Sequence, residues 1–339
     1  MEYLKVCDDS LKKAAKVLQD GGLVAFPTET VYGLGADAFN PLALAKIFET
    51  KGRPHFDPLI IHIASIKTLE KVTDLSLLKE DRRKKLFLLA ENLWPGPLSI
   101  ILPKNKNIPD IATAGLPTCA VRFPDHDIAR SLISLSTGAV AAPSANPFGE
   151  LSPTKAQHVR DKLGDKIDII LDGGCTRIGL ESTVLDITGK DICILRPGGT
   201  PKEIIEEIVK EDLLQRYGGT EGAQVSPGLL KSHYAPRVPL FVFSAQEIDS
   251  LPYEKNAAYL FFDGASRDIW LKKHMPQQPC LKVLSETGNL IEAASQLFEI
   301  LHEIEAGSNS SGYSKIFAQS SPNHGLGTAI NDRLQRAGG

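Results

Sequence analysis

The run Leu59-Ile60-Ile61-His62-Ile63 constrains the fold of this chain more than any other stretch. It is continuously apolar rather than alternating, the pattern of a strand covered on both faces. Its one polar member, His62, needs a buried partner or faces a cleft, and the residues alone leave both open. The run closes a longer block that begins with the apolar Leu23 to Phe26. That first run breaks at Pro27 into the polar turn Thr28-Glu29-Thr30. Gly33 and Gly35 follow, then a helix start at Asn40-Pro41 and the basic turn Lys51-Gly52-Arg53-Pro54. Two strands with these hydroxyls and cations at one sheet edge would make an anion site, because guanidinium and ammonium groups bind phosphate and glycine lets backbone approach a ligand. A hairpin-like loop and a solvated basic turn would use the same residues.

The chain then alternates. Ser10 reads as an N-cap, Leu11, Ala14, Ala15 and Leu18 repeat at helical spacing, and Gly21-Gly22 end that helix. Helices fit 41–49, 65–72, 80–92, 126–134, 154–162 and 201–210, with Ser152-Pro153-Thr154 capping the fifth. Strands fit 98–102, 119–123, 139–142, 167–171, 183–187 and 192–195 besides the two above. This alternation argues for a twisted α/β domain over residues 1–216. At 339 residues the chain is longer than one typical domain. Residues 217–239, punctuated by Gly and Pro, are long for a loop inside a compact domain and read as a linker. They hold Lys231, His233, Tyr234 and Arg237, which suit contact with something. Residues 240–339 read as a second, smaller α/β domain, with strands near 239–243, 257–262, 281–284 and 315–318 and helices over 289–306 and 327–336.

Charge excludes a strongly basic nucleic-acid binder. Residues 1–239 carry 30 basic and 30 acidic side chains, and residues 240–339 carry 8 and 11. Five scattered cysteines without a CxxC pair signal neither a disulfide framework nor a zinc site, and the histidines do not fall at metal-ligand spacings. No apolar stretch approaches a membrane span and the first residues lack a signal-peptide core, so the expected place is the cytoplasm. There is no GxxxxGK[ST] loop, GxGxxG after a strand, GxSxG elbow or HExxH helix.

What remains is a set of small hydroxyls and cations at strand ends: Thr30, Lys51, Arg53, Thr113, Arg122, Ser144, Asn146, Ser152, Ser182 and Arg196. Arg122 stands inside an apolar strand and must find an anion, either a structural partner or a carboxylate ligand. Ser144 and Asn146 follow a buried strand, where open α/β sheets bind ligands and where a plain turn would use the same residues. Arg82, Arg83, Lys84 and Lys85 form a solvated helix face or an RNA-backbone contact. The inventory lacks an obvious nucleophile–base pair. It suits phosphoryl or nucleotidyl transfer by positioning and electrostatics, with Mg²⁺ neutralising phosphate, and equally a simple anion-binding or RNA-binding module.

The order of motifs narrows this. PTETVYGLG at 27–35, KGRP at 51–54, PLIIHI at 58–63, PGPLSIIL at 95–102, TAGLPTCAVRFP at 113–124, APSAN at 142–146, SPT at 152–154, ESTVLD at 181–186 and LRPG at 195–198 resemble the YrdC-like family of threonylcarbamoyl-AMP synthases. SPGLLKSHYAP in the linker and the terminal GLGTAINDRLQRA resemble that family's long, two-domain branch. The resemblance implies a twisted open mixed sheet, a smaller Rossmann-like second domain and a lid-like linker. It implies synthesis of threonylcarbamoyl-adenylate from L-threonine, bicarbonate or CO₂ and ATP, with Mg²⁺ accompanying the nucleotide and no resident metal site. The product would pass to a separate threonylcarbamoyl-transferase complex acting on tRNA, and direct tRNA or double-stranded RNA contact is a further implied possibility.

Carried onto this chain, the family pattern sets L-threonine near Thr30, His62, Arg122, Ala142 and Ser182, with Arg122 on its carboxylate. It sets ATP near Arg53, Asp57, Thr113, Ser144, Asn146, Ser152, Arg196 and Tyr234, and makes Lys51 and Arg53 catalytic at the triphosphate. Two departures stand out. Asp57 replaces the Asn of many relatives, and a carboxylate beside a triphosphate is repulsive unless a cation meets it. Pro147-Phe148 replaces the Arg and small polar residues that often follow SAN.

Overall fold

The computed structural model describes residues 1–215, 234–274 and 280–338. The chain divides into two compact units. The first holds Met1–Phe148, Ser152–Arg177 and the residues from Glu181 to 215. The second holds Gly149–Leu151, Ile178–Leu180 and the described residues from 234 on. Most of the expected linker, residues 217–233, lies outside the described residues.

An eleven-stranded mixed sheet organises the first unit. Its strands are β1 (Glu2–Lys5), β2 (Val24–Phe26), β3 (Gly33–Asp37), β4 (Ile60–Ile63), β5 (Leu98–Pro103), β6 (Thr118–Arg122), β7 (Ala139–Ala141), β8 (Ile169–Asp172), β9 (Thr183–Asp186), β10 (Cys193–Arg196) and β11 (Leu214–Gln215). The spatial order is β1-β8-β2-β3-β7-β4-β6-β5-β9-β10-β11. β4 pairs parallel with β6, β6 antiparallel with β5, and β5 parallel with β9. All residues of β4 and β5 are buried, which is why both read as continuous apolar runs. Ile61, Val121, Ile100 and Leu185 join the main core on one face. Their neighbours Ile60, Ala120, Ile101 and Val184, with Cys193 and Leu195, form a separate small cluster. The same alternation puts His62 and Arg122 beyond that small cluster, at the carboxyl ends of β4 and β6.

The second unit carries a parallel sheet in the order β12-β15-β13-β14, from β12 (Leu240–Phe243), β13 (Ala257–Asp263), β14 (Cys280–Ser285) and β15 (Lys315–Gln319). The helices Gly264–His274, Leu290–Ser311 and Leu326–Gly338 connect or follow these strands. This is the Rossmann-like arrangement expected for residues 240–339.

Several local readings change. The first helix begins at Asp8 with Cys7 as its N-cap. Ser10 sits three residues in, accepting the Cys7 N–H and donating to the Cys7 carbonyl, both at 2.9 Å. The helix after SPT spans Ala156–Leu163 and takes no side-chain cap. The Thr154 carbonyl instead accepts the Thr176 N–H at 2.9 Å, which holds the SPT segment out of the helix. Asn40 does cap its helix, accepting the Leu42 and Ala43 N–H groups at 3.0 and 3.2 Å. Strands β1 and β3 and the helix Gly264–His274 have no counterpart in the sequence reading. β3 hides behind its glycines, which the packing requires: a Cβ on Gly35 would lie 2.7 Å from Phe26 Cε1 and 2.9 Å from Val140 Cγ1. Overpacking of this kind costs about 1–3 kcal/mol. Gly35→Ala is expected to lower the first unit's denaturation midpoint accordingly, and an unchanged midpoint in urea would contradict the close packing of β2, β3 and β7.

Candidate active site

Three segments meet at the main chain of Tyr32. Its N–H donates to the Pro153 carbonyl and its carbonyl accepts the Ala145 N–H, each at 2.8 Å, while the Leu34 N–H donates to the Pro143 carbonyl at 2.8 Å. The turn that carries Thr30, the APSAN segment and the SPT segment are therefore stitched together. Within the turn, the Thr28 hydroxyl donates to the Val31 carbonyl at 2.7 Å and lies 2.8 Å from the Thr30 hydroxyl. Both threonines are buried.

A polar row crosses the sheet beside this junction. His62 is in register with Arg122, and Arg122 with Ser99. The Ser99 hydroxyl lies 2.8 Å from the Ser182 hydroxyl. Arg196 then donates to Ser182, to its carbonyl at 2.8 and 3.2 Å and to its hydroxyl at 3.2 Å. Gly198 makes this approach possible: a Cβ there would stand 2.3 Å from the Glu181 carbonyl oxygen and 2.4 Å from the Thr183 nitrogen. The Ser152 hydroxyl donates to the Glu181 carboxylate. Ala142 joins through its N–H, which donates to the Ile60 carbonyl at 3.0 Å.

Arg122 is 4% exposed and Glu29 only 1%. Their ion pair measures 2.7 Å, and Arg122 Nε donates to the Gly96 carbonyl at 3.3 Å. The structural partner weighed for Arg122 is thus present. His62 is buried beside Arg122. Burial first, and the Arg122 charge second, push its pKa down to about 3. The imidazole is neutral near pH 7, and with Nδ1 donating to the Ile60 carbonyl at 3.2 Å its Nε2 is an acceptor.

A second, cationic group forms around Asp57. Arg53 pairs with the Asp57 carboxylate at 3.0 Å and donates to the Asp57 and Pro58 carbonyls at 3.0 and 2.8 Å. Burial raises the Asp57 pKa, while Arg53, Arg196 and Lys51 oppose the rise. The carboxylate that looked repulsive to a triphosphate therefore sits among three cations. Lys51 donates to the carbonyls of Ser144, at 2.6 Å, and Asn146, so it also shapes the SAN segment. The ring of Phe148, one of the two departures, lies 6.0 Å from the Arg53 guanidinium and offers it a π face. Thr113 is buried, with its hydroxyl donating to the Leu116 carbonyl at 3.0 Å, and the neighbouring Ala112 carbonyl accepts the Leu59 N–H at 2.8 Å.

Tyr234 belongs to the second unit. It is buried at a left-handed φ of 63°, its ring 5.7 Å from Phe298, with the Arg333 guanidinium 4.9 Å above it. In the basic run, Arg82 and Lys85 pair with Glu211, and Lys84 pairs with Glu80. Glu29, Ser99 and His126 escaped selection from the sequence. Glu29 was signalled by Arg122, since a buried arginine demands an anion. Ser99 had no signal without the β5–β6 register. Among the described residues no group of three or more His, Cys, Asp or Glu could hold a metal ion, and no helix is long and apolar enough to cross a membrane.

The His62 pKa makes a stability prediction. An unfolded histidine titrates near 6.5 and this one near 3, so the unfolded chain binds the extra proton between those values. Stability is full above about pH 6.5 and falls as pH drops towards 3, by up to about 1.4 kcal/mol per pH unit. His62→Gln should flatten that fall in denaturation measured from pH 7 to pH 4.5. An equally steep fall would remove His62 as its source.

The sequence matches the telomere recombination family model of the Sua5, YciO and YrdC proteins over residues 16–198, and the C-terminal domain model of threonylcarbamoyl-AMP synthase over residues 200–339. It is 39% identical to the threonylcarbamoyl-AMP synthase of Pyrococcus abyssi, covering 97% of this chain and 94% of that protein. It is also 39% identical to the synthase of Bacillus subtilis, covering 100% and 95%. The crystal structure of Pyrococcus abyssi Sua5 complexed with L-threonine superposes with a TM-score of 0.85 at 36% identity, over 99% of this chain and 97% of that one. The resemblance carried by the motifs thus extends along the whole length, and the chain belongs to the threonylcarbamoyl-AMP synthase family.

Proposed function

We propose that this chain makes threonylcarbamoyl-AMP from L-threonine and ATP, with bicarbonate or CO₂ as the carbon source and pyrophosphate as the leaving product. The observation that carries the reading is the division of one sheet edge into two electrostatic halves. Arg122, balanced by Glu29, and the neutral His62 suit an amino acid. Lys51, Arg53 and Arg196, gathered around Asp57, suit a polyphosphate.

On this reading the Arg122 guanidinium binds the threonine carboxylate and orients the amine. Thr30, His62, Ala142 and Ser182 surround the rest of the substrate, with His62 Nε2 available to accept a hydrogen bond. The amine forms a carbamate, whose oxygen attacks the α-phosphorus as pyrophosphate leaves. Lys51 and Arg53 stabilise the charge that develops on the phosphates. Thr113, Ser144, Asn146, Ser152 and Arg196 hold the nucleotide, and Asp57 fixes Arg53 within that group. Mg²⁺ is taken as part of the nucleotide substrate. The product is handed to a separate transferase complex that modifies tRNA in the cytoplasm; the pairing of Arg82 and Lys85 with Glu211 favours this over RNA capture by the basic helix.

Purified protein should release pyrophosphate from ATP only when threonine and bicarbonate are both present. Release that ignores the omission of either would refute the proposal. Replacing a charge-assisted contact costs about 1.5–3 kcal/mol. Arg122→Gln should therefore raise the threonine KM roughly tenfold or more with nucleotide affinity kept. An unchanged threonine KM would remove Arg122 from that role.

A further inference from the structure

Glu29 is the buried ionisable group that the mechanism above leaves without chemistry. Its side chain is 1% exposed; the Arg122 guanidinium lies 2.7 Å from one carboxylate oxygen, and no other donor among the described residues hydrogen-bonds either oxygen. A carboxylate ordinarily accepts several N–H or O–H bonds, and one guanidinium contact leaves most of that capacity unused. The Thr28 and Thr30 hydroxyls beside it are spent on each other and on the Val31 carbonyl. His126, at the start of the helix after β6, is within electrostatic reach of Glu29. Burial lowers its pKa against the pull of that carboxylate, and its Nδ1 is buried without a partner among the described residues. Arg122 is thus the close cation, and it meets only one of the two carboxylate oxygens.

We propose that Glu29 is a catalytic residue that binds the α-ammonium of the substrate amino acid and takes the proton it must lose. This rests on the functional reading above and supplies its missing base. Arg122 and Glu29 stand as a pair of opposite charges, and a zwitterionic amino acid presents the complementary pair, carboxylate to guanidinium and ammonium to carboxylate. The proton accounting closes with bicarbonate. The ammonium gives one proton to Glu29 and becomes a free amine. The nitrogen lone pair forms the N–C bond to bicarbonate carbon, and the C–O bond to its hydroxyl breaks. The leaving hydroxide takes the second nitrogen proton as water. One carbamate, one water and one proton on Glu29 result, and that proton returns to solvent when product leaves.

Two measurements test this. By calorimetry, wild-type protein should bind L-threonine at least about tenfold tighter than 3-hydroxybutyrate, which keeps the carboxylate and hydroxyl but lacks the amine. Glu29→Gln should erase that preference, while Glu29→Asp keeps part of it. In turnover, Glu29→Gln should lower the threonine-dependent kcat by roughly 100-fold or more with ATP affinity within about twofold. If Glu29→Gln weakens both ligands equally, Glu29 serves only to orient Arg122 and the proposal falls. Should that variant fail to fold, the wild-type comparison still decides, since equal affinity for the two ligands overturns the proposal. Absence of any threonine-dependent pyrophosphate release by the wild type would instead refute the functional reading.

Discussion

An arginine at the end of a buried strand cannot be left alone, and much of this site follows from meeting that demand. Moving a guanidinium from water into a sheet interior costs several kcal/mol unless an anion and acceptors surround it. Here Glu29 and the Gly96 carbonyl do so. Glu29 is reached only because the chain breaks at Pro27 into a turn, and that turn is held by the Tyr32 main chain against the APSAN and SPT segments. The ion pair thus couples β6 to three loops far apart in sequence. Removing one partner would leave a lone buried charge, which typically costs 3–5 kcal/mol. The pair stands beside a neutral buried histidine.

The cationic half obeys the same rule with a different balance. Asp57 is the counter-charge that lets Arg53, Arg196 and Lys51 gather in a buried place before any phosphate arrives. One carboxylate among three cations lowers their mutual repulsion.

The legible parts of the sequence were those whose physics is local. Asn40-Pro41 announced its helix, and the apolar run of β4 announced a strand buried on both faces. Arg122 announced a buried anion. The partner was illegible, because Glu29 lies ninety-three positions away and only the sheet order brings it near. Ser99 was invisible for the same reason, since its role depends on register with Arg122 and contact with Ser182. β3 was missed because its glycines resemble a loop until Phe26 and Val140 are seen pressing on Gly35. Ser10 was misassigned by one turn, as Cys7 in extended conformation starts the helix and Ser10 completes its capping box. The motif resemblance outran all of these, because nine ordered motifs encode long-range geometry that no local rule can recover.

The central claim is that one sheet edge holds the amino acid and the triphosphate side by side, in electrostatically distinct halves. The most direct measurement is a crystal structure of this protein with L-threonine and a non-hydrolysable ATP analogue. The account predicts the threonine carboxylate on Arg122, its ammonium against Glu29, and the triphosphate among Lys51, Arg53 and Arg196. Threonine bound away from Arg122, or phosphate seated on Arg122 with the Asp57 group empty, would contradict it.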